Sequence, residues 1–213
     1  MKNTGLKFGL VALGLTLAAG AQAVDGTLTL QGGWGPSGGG EFSVTSSTGL
    51  GAFKTFCLEY NEHINIPGTY DYTINSKAVG GGPGYTPNGD PLSIGTAWLY
   101  SNFRSGVLAS SYGYDTAGDQ DNLQKAIWWL EEESMGVNNA WVGFAKAALG
   151  LDDTTIRGDA NGAFGVVALN LSVPGNDRLQ DVLGLPDGGL TLGMLGTGMV
   201  ALGLARRRVA AKA

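Results

Sequence analysis

The chain has 213 residues, with 13 lysines and arginines against 18 aspartates and glutamates. Six of the basic residues (Lys2, Lys7, Arg206, Arg207, Arg208 and Lys212) lie in the two ends, which hold no acid; the central part keeps 7 basic against 18 acidic groups, a net of −11. Such a surface argues against nucleic acid or an anionic surface as partner, and roughly 165 residues between the ends suffice for one domain with its own core.

In chain order, residues 1–23 read as a secretory signal peptide. Lys2 and Lys7 precede an apolar run over 8–19, and Ala21-Gln22-Ala23 supplies a small-residue cleavage site. The mature chain is then expected to start near Val24, outside the cytoplasm. Residues 26–31 and 41–46 read as strands. Residues 53–60 are a third, because Phe56, Leu58 and Tyr60 alternate with Thr55, Cys57 and Glu59. A fourth covers 68–74, with Tyr70, Tyr72 and Ile74 on one face. After a glycine-rich loop, Asp90 followed by Pro91 predicts the start of a helix over 92–107. Helices follow over 121–133 and 139–149, and a β-rich run over 165–173 returns to the sheet. Strands, then helices, then a strand predict an α+β domain over 24–180, a β-sheet or sandwich scaffold with a helical insertion.

Residues 181–213 read as a separate tail. The motif Leu185-Pro186-Asp187-Gly188-Gly189 precedes an apolar run over 190–205, and Arg206, Arg207 and Arg208 open the basic end 206–213. The run is short against the ~20 residues of a comfortable span, a gap that local thinning and snorkelling arginines close. The arginines fix it as a single transmembrane helix with its basic end in the cytoplasm. In this order the tail resembles the PEP-CTERM sorting signal of exosortase substrates, with Pro186, Asp187, Gly188 and Gly189 in place of the usual Pro-Glu-Pro. The resemblance implies an exosortase-type membrane protease as partner. It also implies transient anchoring in the inner membrane, then release or transfer of the ectodomain to the cell surface or extracellular matrix.

The stretch DNLQKAIWWLEEE over 121–133 carries the most chemistry. Leu123, Ala126, Ile127 and Leu130 form one helical face, and Gln124 stacks one turn below Trp128. Two readings stay open for Gln124. Asp121 and Gln124 fit an N-cap and its N3 partner; alternatively Gln124 faces Cys57, the sole cysteine. In an exported chain an unpaired cysteine points to a reactive thiol, an intermolecular bridge, or a buried, inert thiol.

T-F-C-L-E over 55–59, followed by L-Q-K-A-I-W over 123–128, is similar to the paired motifs of bacterial surface thioester domains, with Gly95 to Tyr100 resembling the helix between them. The resemblance implies an internal thioester between Cys57 and Gln124, shielded by Trp98 and Trp128. A partner amine would open it, and the protein would act as a covalent tether and not as an enzyme. The rival is a non-covalent matrix or carbohydrate-binding protein with an inert Cys57.

Other constellations are weaker. His63 stands alone, without a nucleophile elbow. Glu59 with Glu62, and Glu131 with Glu132 and Glu133, read as solvated strand and helix ends rather than as paired catalytic carboxylates. The acidic loop Asp152, Asp153, Asp159 and Asn161 lacks the spacing of a calcium-binding EF-hand loop. No cofactor and no metal is expected.

Overall fold

A computed structural model describes residues 24–32, 39–80, 89–176 and 179–186. The protein is α+β. The chain begins with β1 (Gly26–Gln31), β2 (Phe42–Ser46), β3 (Ala52–Thr55) and β4 (Gly68–Asn75). The short strands β5 (Lys77–Ala78) and β6 (Asp90–Pro91) form a separate two-stranded ribbon. Four helices follow: α1 (Ile94–Arg104), α2 (Val107–Tyr112), α3 (Ala117–Leu130) and α4 (Ala140–Leu149). The strands β7 (Val167–Ser172) and β8 (Val182–Gly184) close the described chain.

Six strands make one sheet in the order β3-β2-β1-β4-β7-β8, each neighbouring pair antiparallel. Its two edges meet. Beyond β3 the chain stays extended, and Cys57 bridges Val182 of β8. Leu58 N–H donates to Asp181 O at 2.9 Å and Leu183 N–H to Phe56 O at 3.2 Å, while Thr55 Oγ1 donates to Leu183 O at 2.6 Å. The sheet is therefore a single, nearly closed layer, not two stacked sheets.

At this seam both faces are buried, and alternation sorts the side chains between two clusters. Phe56, Leu58 and Leu183 join a cluster dominated by the helices. Cys57, Val182, Leu28, Leu30, Val44, Tyr72 and Leu171 fill the inner face of the sheet. Trp128 reaches from α3 into that inner cluster. Tyr60 departs from the expected alternation: it packs on the inner cluster, as Cys57 does.

Two helix starts differ from the sequence reading. α3 begins earlier than 121, because Thr116 and Asp119 form the capping box: Asp119 N–H donates to Thr116 Oγ1 at 3.1 Å, and Thr116 N–H to Asp119 Oδ2 at 2.9 Å. Asp121 instead pairs with Lys125 one turn on, at 2.7 Å. Gln124 is thus mid-helix and has no capping role. α1 is capped by Ser93, whose Oγ accepts from Thr96 N–H at 3.1 Å, and Asp90–Pro91 is drawn into the ribbon with β5. The expected single helix over 92–107 breaks at Gly106, which takes φ 77°, a conformation glycine adopts without strain. α4 runs as expected, with Asn139 as its cap.

The packed unit continues past residue 180: Asp181, Leu183 and Leu185 are buried, and Pro186 is half-buried. Residues 1–23, Asp187, Gly188, Gly189, and the expected membrane helix and basic end over 190–213 lie outside the described residues. Among the described residues no helix is long and apolar enough to cross a membrane.

Candidate functional site

Cys57 and Gln124 meet at the seam. The Gln124 carboxamide, fully buried on α3, lies flat against the backbone of Cys57. Its Oε1 accepts from Cys57 N–H and from Gly40 N–H, both at 2.9 Å, and its Nε2 donates to Cys57 O at 2.9 Å. The Gly40 N–H also faces the thiol. Gly40 N–H thus binds the carboxamide oxygen and also acts on the thiol, and the Gln124 side chain is fastened to the backbone of the residue that carries the sulfur.

The approach of Gly39 and Gly40 requires the absence of side chains. A Cβ on Gly39 would fall 2.6 Å from Gln124 Cγ, 2.8 Å from Cδ and 2.8 Å from Trp128 Cη2. On Gly40 it would fall 2.7 Å from Thr55 O. This segment is held by its neighbour Glu41, which is buried, pairs with Lys54 at 2.9 Å and accepts from Tyr114 Oη at 2.6 Å. Burial, with Glu41 beside it, pushes the Tyr114 hydroxyl well above the usual phenol range, so it serves Glu41 as a permanent donor.

The thiol is 5 % exposed, and burial pushes its pKa up to about 12; the Gly40 N–H opposes this and the nearby Glu59 adds to it. At neutral pH the sulfur keeps its proton. A neutral thiol is a poor nucleophile, and an amide is a poor electrophile. What the site supplies is alignment on rigid mounts and two N–H groups at 2.9 Å from the oxygen where negative charge would develop.

The aromatic residues divide. Trp128 is in the cluster with Cys57, is 2 % exposed, and has the Tyr60 ring edge-on at 5.2 Å. Trp98 belongs to the helical cluster and packs on Tyr112 at 6.0 Å. Of the two tryptophans expected to shield the thiol, Trp128 shares the cluster of Cys57 together with Tyr60, and Trp98 lies in the other cluster. Sequence reasoning missed Gly39, Gly40, Glu41 and Tyr60. The run of glycines before β2 was the available signal, since glycine beside a strand marks close backbone approach.

The remaining residues singled out from the sequence are elsewhere. His63 is exposed. Asp152 accepts from Thr155 N–H at 2.8 Å and Thr154 N–H at 3.1 Å, and Asp159 from Asn161 N–H at 2.7 Å, so the acidic loop closes on its own backbone. Glu59, Glu131 and Glu133 are buried and not solvated ends. Glu131 Oε1 accepts from Ser93 N–H and Oγ–H, and Glu133 Oε2 from Tyr60 N–H, so these acids satisfy backbone groups that packing has cut off from water.

Compared with known proteins, the chain matches no family model, no curated protein and no solved structure.

Proposed function

We propose that the protein is an exported surface or matrix protein in which Cys57 and Gln124 form an internal thioester that captures a partner amine. The observation that carries this reading is the pair of N–H groups, from Gly40 and Cys57, that converge on Gln124 Oε1 beside the sole thiol. In the reaction Cys57 Sγ attacks Gln124 Cδ, and the charge that develops on Oε1 meets both donors. The S–Cδ bond forms, the Cδ–Nε2 bond breaks, and the thiol proton leaves with the nitrogen as ammonia. Trp128 and Tyr60 keep water from the acyl carbon. A partner amine then attacks Cδ, forms an amide at Gln124 and returns a proton to Sγ. The protein reacts once and does not turn over.

The same proposal includes export through residues 1–23 and transient anchoring in the inner membrane through 190–205, before processing at Pro186, Asp187, Gly188 and Gly189 by an exosortase-type membrane protease. Delivery to the cell surface or matrix suits an amine-bearing partner there.

Intact mass of the purified protein, with and without methylamine, tests the thioester. The expected mass is one ammonia below the sequence value, shifting to a methylamine adduct at Gln124, with both changes absent in Cys57→Ala. A mass equal to the sequence value overturns the thioester. It would select a second reading, which the three hydrogen bonds of Gln124 also favour. There Gln124 is a structural clip in a non-covalent matrix or carbohydrate-binding protein with an inert Cys57.

A further inference from the structure

Three carboxyl groups gather beside the seam. Glu59, Glu62 and Asp181 each bring an oxygen within 4.8 Å of the others, with Glu59 and Asp181 buried and Glu62 half-buried. Among the described residues, no lysine or arginine pairs with Glu59 or Asp181. Asp181 is fixed by Val79 N–H at 2.6 Å, Asn170 Nδ2 at 2.8 Å and Leu171 N–H at 3.2 Å. Glu59 Oε2 receives Asp181 N–H at 3.4 Å, while Glu59 Oε1 is buried without a hydrogen-bond partner.

A second observation comes from a neutral side chain. Asn170 is 6 % exposed, and its Oδ1 is also buried without a partner. Its Nδ2 is committed to Asp181 Oδ2 and to Lys77 O at 3.1 Å, which holds the amide head at the cluster and fixes which end is oxygen. The opposite flip would set oxygen against carboxylate. The unsatisfied oxygens of Asn170 and Glu59, with the carboxyl groups of Glu62 and Asp181 close by, offer an all-oxygen set that a cation would satisfy.

We propose that Glu59, Glu62, Asp181 and Asn170 form a calcium site that ties the seam segment after β3 to β7 and β8. The donors are hard oxygens only, which excludes a zinc- or copper-type site. They project from four separate backbone positions in an irregular arrangement, which suits the six to eight flexible ligands of Ca2+ better than the rigid octahedron of Mg2+. Glu59 is two residues from Cys57, and Asp181 adjoins Val182, the bridge partner of Cys57. Calcium bound here would clamp the seam next to the Cys57–Val182 bridge. The inference stands without the thioester, since no ligand named belongs to that pair.

The test uses purified, metal-depleted protein, CaCl2 as the probe, calorimetric titration at neutral pH, and thermal unfolding in calcium or in chelator. The expected result is one site per chain, with Mg2+ weaker, and a Tm rise of about 5–10 °C at a hundredfold excess of free Ca2+ over its Kd. Glu59→Gln keeps the shape and removes one of the repelling charges. It is expected to fold, to unfold in chelator no earlier than wild type, and to bind Ca2+ at least tenfold more weakly. Two results would overturn the proposal. One is an absence of heat and of any Tm change with CaCl2, which would mean that shared protons neutralise the cluster. The other is Glu59→Gln binding as well as wild type.

Discussion

Replacing Gly39 by alanine tests whether backbone approach assembles the Cys57–Gln124 pair. The new methyl would lie 2.6 Å from Gln124 Cγ and 2.8 Å from both Cδ and Trp128 Cη2, about 1 Å inside an ordinary contact of ~3.5–4.0 Å. Neither neighbour can step aside: Gln124 is held by three hydrogen bonds at 2.9 Å and Trp128 is 2 % exposed. Either the carboxamide or the Gly39–Gly40 segment must shift. Overpacking of this kind costs about 1–3 kcal/mol, or roughly 2–12 °C in Tm at ~2–4 °C per kcal/mol for a chain of this size. A displacement near 1 Å at the reacting atoms slows the acyl transfer about a hundredfold. The assay is intact mass after expression, read as the fraction of molecules that have lost ammonia, alongside thermal unfolding. Gly39→Ala should be mostly unreacted while still folded. A variant with the wild-type reacted fraction and wild-type Tm would refute the claim that this contact positions the pair.

Three further predictions concern stability. Glu131 is pushed up to about 7 from an ordinary 4.5, chiefly by burial, with the Ser93 hydrogen bonds opposing and Asp90 adding to the rise. Its folded pKa exceeds its unfolded one, so its contribution is whole below pH ~4.5 and is lost as pH rises through about 7, a fall of about 3 kcal/mol. Glu131→Gln retains an Oε1 for both Ser93 donors and should remove that share of the pH slope; an unchanged slope in chemical denaturation between these limits would rule it out. A Cys57–Gln124 thioester closes a loop between residues 67 apart in sequence, worth about 4 kcal/mol by loop-closure entropy. The untreated protein should therefore melt well above the methylamine-opened form, and equal Tm values would contradict the crosslink. Thr116→Ala removes the α3 cap and should cost about 1 kcal/mol in denaturant midpoint without altering the reacted fraction, since Gln124 lies beyond the first turn.

The parts of this fold that follow a period were legible in advance. β1 and α4 fall where the sequence sets them, at 26–31 and within 139–149, and alternation over 53–60 sets Cys57 opposite Phe56 and Leu58. Burial overrode local rules elsewhere. Glu59, Glu131 and Glu133 carry charge, and in isolation a charged residue belongs in water; they are inside because the seam leaves backbone donors such as Ser93 and Tyr60 N–H needing acceptors. β8 is three residues long, and Val-Leu-Gly-Leu ahead of Pro186 carries no alternation of its own; only its pairing with β7 makes it a strand. Of the candidate site, Cys57, Gln124 and Trp128 could be named from motif and spacing. Gly39 and Gly40 show in the sequence only as part of a glycine run, because what matters there is the lack of a side chain against Gln124, 84 residues beyond Gly40.

Closure of the sheet also has a mechanical side. β8 is the last strand before the chain leaves the described fold at Pro186. A pull on the chain beyond that point reaches β8 first, and loads next the few hydrogen bonds that join it to residues 55–58. So short a strand opens locally at far less cost than the whole domain. The bridge between Cys57 and Val182 is therefore among the first contacts that tension would load, and exposure of the Cys57 side chain would follow applied force.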